Sequence, residues 1–192
     1  MSIPILSHET VQTPPTNIYV GLDLSLTSTG IAIIHGDQIT TRRITSKGKQ
    51  GATTAEQVDR LGKLVENIAH EVPWTDHARI AVEGPSYGST GTAAHILGGF
   101  WWMVRHRLAT LDLDVVVVPP GTVKKYATGR GNAGKDEVLA AVIRRYSHVD
   151  VSGNDEADAL VLAAIRARLD GHPIDPDLSR THFATLDQAV SA

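Results

Sequence analysis

Two apolar runs of strand length in this chain each end on an acid. Ile18–Asp23 reads Ile-Tyr-Val-Gly-Leu-Asp, and Ala78–Glu83 reads Ala-Arg-Ile-Ala-Val-Glu. Runs of this kind suit strands covered on both faces, which points to an α/β sheet rather than a half-exposed one. A carboxylate at the end of such a strand is costly unless something positive meets it. No Lys or Arg follows either acid closely. Two more acids, Asp155 and Asp158, open a helical stretch that continues Ala-Leu-Val-Leu-Ala-Ala. Their i, i+3 spacing puts both on one helix face.

Each acid has a plain explanation when taken alone. Asp155 suits a helix first turn, favoured by the dipole. Asp23 could cap a turn at Ser25, and Glu83 before Gly84-Pro85 could simply end a strand. Asp158 is harder to explain this way, because Val161 and Leu162 share its side of the helix. The joint occurrence of Asp23, Glu83, Asp155 and Asp158 on separate elements points to a metal site built from carboxylate oxygens, which hard cations such as Mg²⁺ prefer. The expected form is a two-metal site. Two Mg²⁺ ions roughly 3.5–4 Å apart would clamp a scissile phosphate, with Asp23 bridging them and Mn²⁺ able to substitute.

Charge distribution points the same way. The net charge of −3 does not suit a general nucleic-acid binder. Yet Arg42, Arg43, Lys47 and Lys49 fall in a stretch with no acid, and so do Lys124, Lys125, Arg130 and Lys135. Two segregated basic segments beside an acidic cluster suit a phosphodiester substrate. The competing explanation is two solvated loops. The chain has no cysteine, so disulfides and thiolate metal sites are excluded and a reducing cytoplasm is compatible. No apolar run is long enough to span a membrane, and no signal peptide is expected. There is no HExxH spacing among the histidines and no GxxxxGK[ST] loop.

The predicted order is strand 18–23, a hairpin of strands 30–35 and 38–45 turning at Gly36-Asp37, helix 54–71, strand 78–83, helix 92–110, strand 115–118, and then helices at 122–127, 135–146 and 155–169. Residues 1–17 are expected to form a flexible arm, 18–170 one domain, and 171–192 a weakly ordered tail. The fold class is α/β, a five-stranded mixed sheet flanked by helices. Phe100, Trp101 and Trp102 are consecutive on one helix, so one Trp is expected at a helix-to-helix contact between subunits.

Several blocks, in order, resemble the RuvC family of Holliday-junction resolvases within the RNase H-like fold. They are Gly21-Leu22-Asp23-Leu24-Ser25 with Thr29-Gly30, then Val82-Glu83-Gly84, then Pro119 through Lys125 with Gly129-Arg130-Gly131-Asn132-Ala133-Gly134-Lys135, and finally Asn154-Asp155-Glu156-Ala157-Asp158-Ala159-Leu160. The resemblance implies a homodimeric, Mg²⁺-dependent endonuclease that makes paired nicks in four-way DNA junctions. It implies Asp23, Glu83, Asp155 and Asp158 as metal ligands and Lys124 and Lys135 as the family's lysines, with Lys135 in the catalytic set. Lys125, Arg130, Arg42, Arg43 and Lys47 become DNA-contact candidates. Tyr87 is the nearest counterpart of an aromatic that stacks at the junction centre. The residues point to no particular helicase partner. Residues 23–30 also resemble the phosphate hairpin of actin-like ATPases and sugar kinases, though the chain is short for their two lobes. A non-catalytic module that binds branched nucleic acid and an RNase H-like nuclease directed at RNA are the other readings.

Overall fold

The computed structural model describes residues 17–85 and 90–191. Its sheet has the order β3-β2-β1-β4-β5-β6. β1 (Ile18–Asp23), β2 (Ser28–His35) and β3 (Gln38–Thr45) form an antiparallel meander. The β2–β3 turn is two residues long, and Gly36 adopts φ 58° there, a left-handed conformation that glycine takes without a steric cost. β4 (Ala78–Glu83) and β5 (Asp114–Val118) continue the sheet parallel to β1. The five expected strands are therefore present, with β1 in the interior. A short sixth strand, β6 (Val190–Ser191), pairs antiparallel with β5.

Strand alternation divides the core into two layers. Val20, Leu22, Ile31, Ile80 and Val82 face α1 (Thr54–Glu71) and α2 (Thr92–Thr110). Tyr19, Ala32, Ile34, Ala81, Val116 and Val118 face the opposite layer. That layer holds α3 (Pro120–Thr128), α4 (Lys135–Arg145) and α5 (Asn154–Leu169). The helix boundaries follow local chemistry. Thr53 and Glu56 form a reciprocal capping box at the start of α1. Pro120 occupies the first turn of α3, and Gly129 ends it in the left-handed region at φ 82°.

The central packing contact joins main chain to main chain. α5 crosses β1 and β2 so closely that a Cβ on Gly21 would lie 1.9 Å from the Ala159 carbonyl oxygen and 2.6 Å from the Ala163 nitrogen. A Cβ on Gly30 would lie 1.9 Å from the Asp155 carbonyl oxygen. No side chain fits at either position. α5 is buried from Glu156 through Arg166 apart from Asp158, which explains its near-continuous apolar sequence.

The segment from Gly171 onward, expected to be a weakly ordered tail, instead lies against the helices. It contains the short helix α6 (Arg180–Phe183), a 3-10 turn (Leu186–Gln188) and β6. Ile174, Leu178, Phe183 and Leu186 pack on the α5-side core. No helix among the described residues is long and apolar enough to cross a membrane.

The glycine contacts give a direct test. Gly21→Ala should destabilise the fold by at least about 2–3 kcal/mol through overpacking. Gly62→Ala, in the interior of α1 with open space around it, should instead stabilise it by about 0.5–1 kcal/mol. Denaturant unfolding measures both, and equal effects would contradict the close approach of α5.

Candidate active site

The two-residue period of β1, β2 and β3 builds the site. Asp23 pairs with Gly30, and Gly30 pairs with Arg43. All three lie in one row on the α5 face. Because Gly30 lacks a side chain, the first turn of α5 settles there and brings Asp155 and Asp158 beside Asp23. Glu83 lies on the neighbouring strand, one position beyond the Leu22–Val82 pair. Asp23 and Glu83 are close enough for each carboxyl to act on the other.

The electrostatics record the crowding. Burial, then the charges of Glu83, Asp158 and Asp155, hold the Asp23 carboxyl well above the usual carboxylate range, and Lys135 only partly opposes this. Burial and Asp158 raise Glu83 as well, against Lys124 and Lys135. Asp158 is pushed up to about 6, chiefly by burial, with Asp155 adding to it and Lys135 and Lys124 resisting. Four acids and two lysines from β1, β4, α3, α4 and α5 thus feel one another. Acid charge exceeds lysine charge, and in such a cluster proximity and burial disfavour ionising every carboxyl at once.

Every candidate ligand at the centre is a carboxylate. That donor set suits a hard divalent cation and does not suit a soft or borderline one. As the side chains stand, no group of three or more acidic or histidine residues among the described residues closes to metal-holding distance.

The basic candidates separate into groups. Lys124 and Lys135 face the acids. Arg43 is exposed beside the α5 N-terminus, with a guanidinium nitrogen 3.4 Å from where a Gly153 Cβ would lie. Arg42 points to the other face of the sheet and pairs with Glu71 of α1 at 2.9 Å. Strand alternation therefore separates two neighbours that the sequence groups together. Lys47 is exposed on the loop after β3, and Lys125 is half-buried on α3. Arg130 pairs with Glu137 of α4. Tyr87 lies outside the described residues.

Two supporting residues escaped the sequence reading. The Ser28 hydroxyl donates to Asp155 Oδ2 at 2.5 Å and fixes that carboxylate. The Trp101 indole N–H donates to the Glu83 carbonyl at 2.9 Å and anchors the end of β4. Ser28 opens β2 after a Ser/Thr-rich turn that gives no hint of a partner 127 positions away. Trp101 and Trp102 split as expected. Trp101 is buried at 8 % exposure, and Trp102 is 67 % exposed. A cleft of about 170 Å³ adjoins Glu83, lined by Leu24, Pro85, Leu97 and Trp101 among others. A groove of about 360 Å³ lies away from the acids between α3, α4 and His182.

Comparison with known proteins matches this arrangement. The family model described as crossover junction endodeoxyribonuclease RuvC matches residues 19–166. The chain is 26 % identical over 148 residues to the RuvC of Rickettsia prowazekii, covering 76 % of this chain and 94 % of that protein. It is 29 % identical over 150 residues to the RuvC of Zymomonas mobilis, covering 78 % and 90 %. The solved structure of Thermus thermophilus RuvC superposes with a TM-score of 0.60 at 19 % identity, covering 81 % of this chain and 97 % of that one. The same Thermus protein, solved in complex with a Holliday junction substrate, superposes with a TM-score of 0.58 at 16 % identity. The matched span contains all four acids and both facing lysines, so the chain belongs to the RuvC family of crossover junction endodeoxyribonucleases.

Proposed function

We propose that this protein is a structure-selective DNA endonuclease that resolves four-way junctions by divalent-cation-dependent phosphodiester hydrolysis. The observation that carries this reading is the meeting of Asp23, Glu83, Asp155 and Asp158 with Lys124 and Lys135 at one end of the sheet. The cation assigned is Mg²⁺, two ions per site, with Mn²⁺ able to substitute. Bound there, such a pair supplies Lewis acidity and a water of lowered pKa. Asp23 on the interior strand β1, with Glu83, Asp155 and Asp158, would hold such ions. Ser28 holds one oxygen of Asp155 and leaves the other free to act.

Lys124 and Lys135 hold phosphate oxygens and offset charge that builds on phosphorus in the transition state. Arg43 approaches from β3, two strand spacings or roughly 10 Å from Asp23, a distance suited to a neighbouring phosphate. Lys125, Arg130 and Lys47 extend the cationic surface. The exposed Trp102 ring, edge-on to Trp101 with centroids 5.1 Å apart, supports a homodimer built on α2 that pairs two sites for symmetric nicks. A protein with this substrate works in the cytoplasm. The bounds we assign are an arm of residues 1–17, a nuclease domain of 18–170 and a C-terminal segment of 171–192.

Asp23→Asn should abolish cleavage of a four-way junction and leave junction binding within a few-fold of the parent, because the acids hold cations and not DNA. A gel assay over four-way, three-way, flap and linear DNAs reads both quantities. Equal loss of binding and cutting would contradict the assignment. Lys135→Ala should lower the slope of log affinity against log salt by about 1, one phosphate contact. An unchanged slope in that titration would reject its phosphate role.

The raised carboxyls also predict how stability varies with pH. They keep protons in the folded state that the unfolded chain releases near pH ~4, so the metal-free fold loses stability as pH rises from about 4 through neutrality. Mg²⁺ replaces those protons. It should therefore raise the melting midpoint more at about pH 8 than at about pH 5.5, and Asp23→Asn should flatten the difference. Melting curves in chelator and in Mg²⁺ that superimpose at both pH values would remove the cation from the proposal.

A further inference from the structure

The RuvC family model ends at residue 166, yet the segment beyond it is tied into the fold by one buried carboxylate. The Asp175 side chain is 6 % exposed. Its Oδ1 accepts from the Tyr126 hydroxyl at 2.7 Å and from Arg168 Nη2 at 2.8 Å. Its Oδ2 accepts from the Tyr146 hydroxyl at 2.6 Å and lies 3.7 Å from Arg145 Nη1. Arg168 also donates to the Asp175 carbonyl, and its Nε donates to the Tyr126 hydroxyl at 2.9 Å. A single carboxylate thus joins α3, the end of α4 and the end of α5.

The same segment meets α3 along its whole length. The Thr122 hydroxyl in the first turn donates to the Thr185 carbonyl at 3.4 Å. His182 lies against Gly129 at the other end. Phe183 stacks under the Arg168 guanidinium at 4.8 Å. Arg145, beside Asp175, donates to the Tyr126 and Ala127 carbonyls at 3.2 and 2.7 Å and so satisfies the last turn of α3. α3 is the helix that carries Lys124 and Lys125 and leads through Arg130 to Lys135. Neither Lys124 nor Lys125 makes a side-chain hydrogen bond or ion pair among the described residues, so their aim depends on where α3 sits. Buried, fully partnered polar networks fix geometry more than they add stability.

We propose that Asp175 is a positioning residue for DNA, holding α3 so that Lys124 and Lys125 face the substrate. This rests on the reading of Lys124 as a phosphate contact. The test compares Lys124→Ala, Asp175→Ala, Asp175→Asn and the double variant Asp175→Ala with Lys124→Ala, using the full chain and a four-way junction over a salt series. Only protein that melts cooperatively is compared. Asp175→Asn keeps an acceptor for the tyrosine hydroxyls if the alanine variant fails to fold, and the double variant is then built on it. Lys124→Ala should weaken binding roughly 5-fold and lower the salt slope by about 1. Asp175→Ala should weaken binding by the same factor or more, and should lower kcat on bound junction no further than Lys124→Ala does. The double variant should bind no more than about 2-fold weaker than the Asp175 variant alone, because the two changes remove one contact. A folded Asp175 variant with parental affinity and salt slope overturns the proposal, and so does an additive double variant. A Lys124→Ala protein with parental binding overturns instead the phosphate reading beneath it.

Discussion

The approach of the α5 main chain to Gly21 and Gly30 is the contact on which the rest depends. Asp155 and Asp158 belong to a helix more than 100 positions from Asp23 in sequence, and only main-chain proximity brings that helix's first turn to the β1–β2 row. A methyl group at either glycine would lift the helix and take the acids with it. The two apolar layers then lock the crossing, since Ala157, Leu160, Val161 and Leu162 are all fully buried. Stability and site geometry thus come from one packing event.

The site itself is electrostatically unbalanced. Its acids face one another at the end of a buried sheet, and two lysines do not neutralise them. Ordinary structural ion pairs in this chain look different. Arg166, for example, meets Asp114 at 2.6 Å and Asp170 at 3.1 Å and is matched locally. The contrast separates a cluster kept ready for external charge from one that serves the fold.

Much of this was legible in the sequence because it obeys short-range rules. The apolar runs that became β1 and β4, the Gly36-Asp37 turn, the α1 pattern with Pro73 beyond it, and the i, i+3 acids each carry their own signal. What the sequence hid is long-range. It groups Arg42 with Arg43, and only strand pairing reveals that one meets Glu71 while the other flanks α5. Ser28 finds Asp155, Asp175 finds two tyrosines, and β6 finds β5 through tertiary placement alone. The Pro-containing segment after α5 resembles a tail in composition, yet a few apolar residues and one buried acid suffice to dock it.

The placement of β6 also bears on solubility. It covers the outer side of β5 over two residue pairs and leaves β3 as the opposite margin of the sheet. β3 presents arginines on both faces, Arg42 on one and Arg43 on the other. A foreign strand adding there would have to strip water from a guanidinium whichever way it lay, so the charge that suits a polyanion also guards the molecule against edge-on self-association.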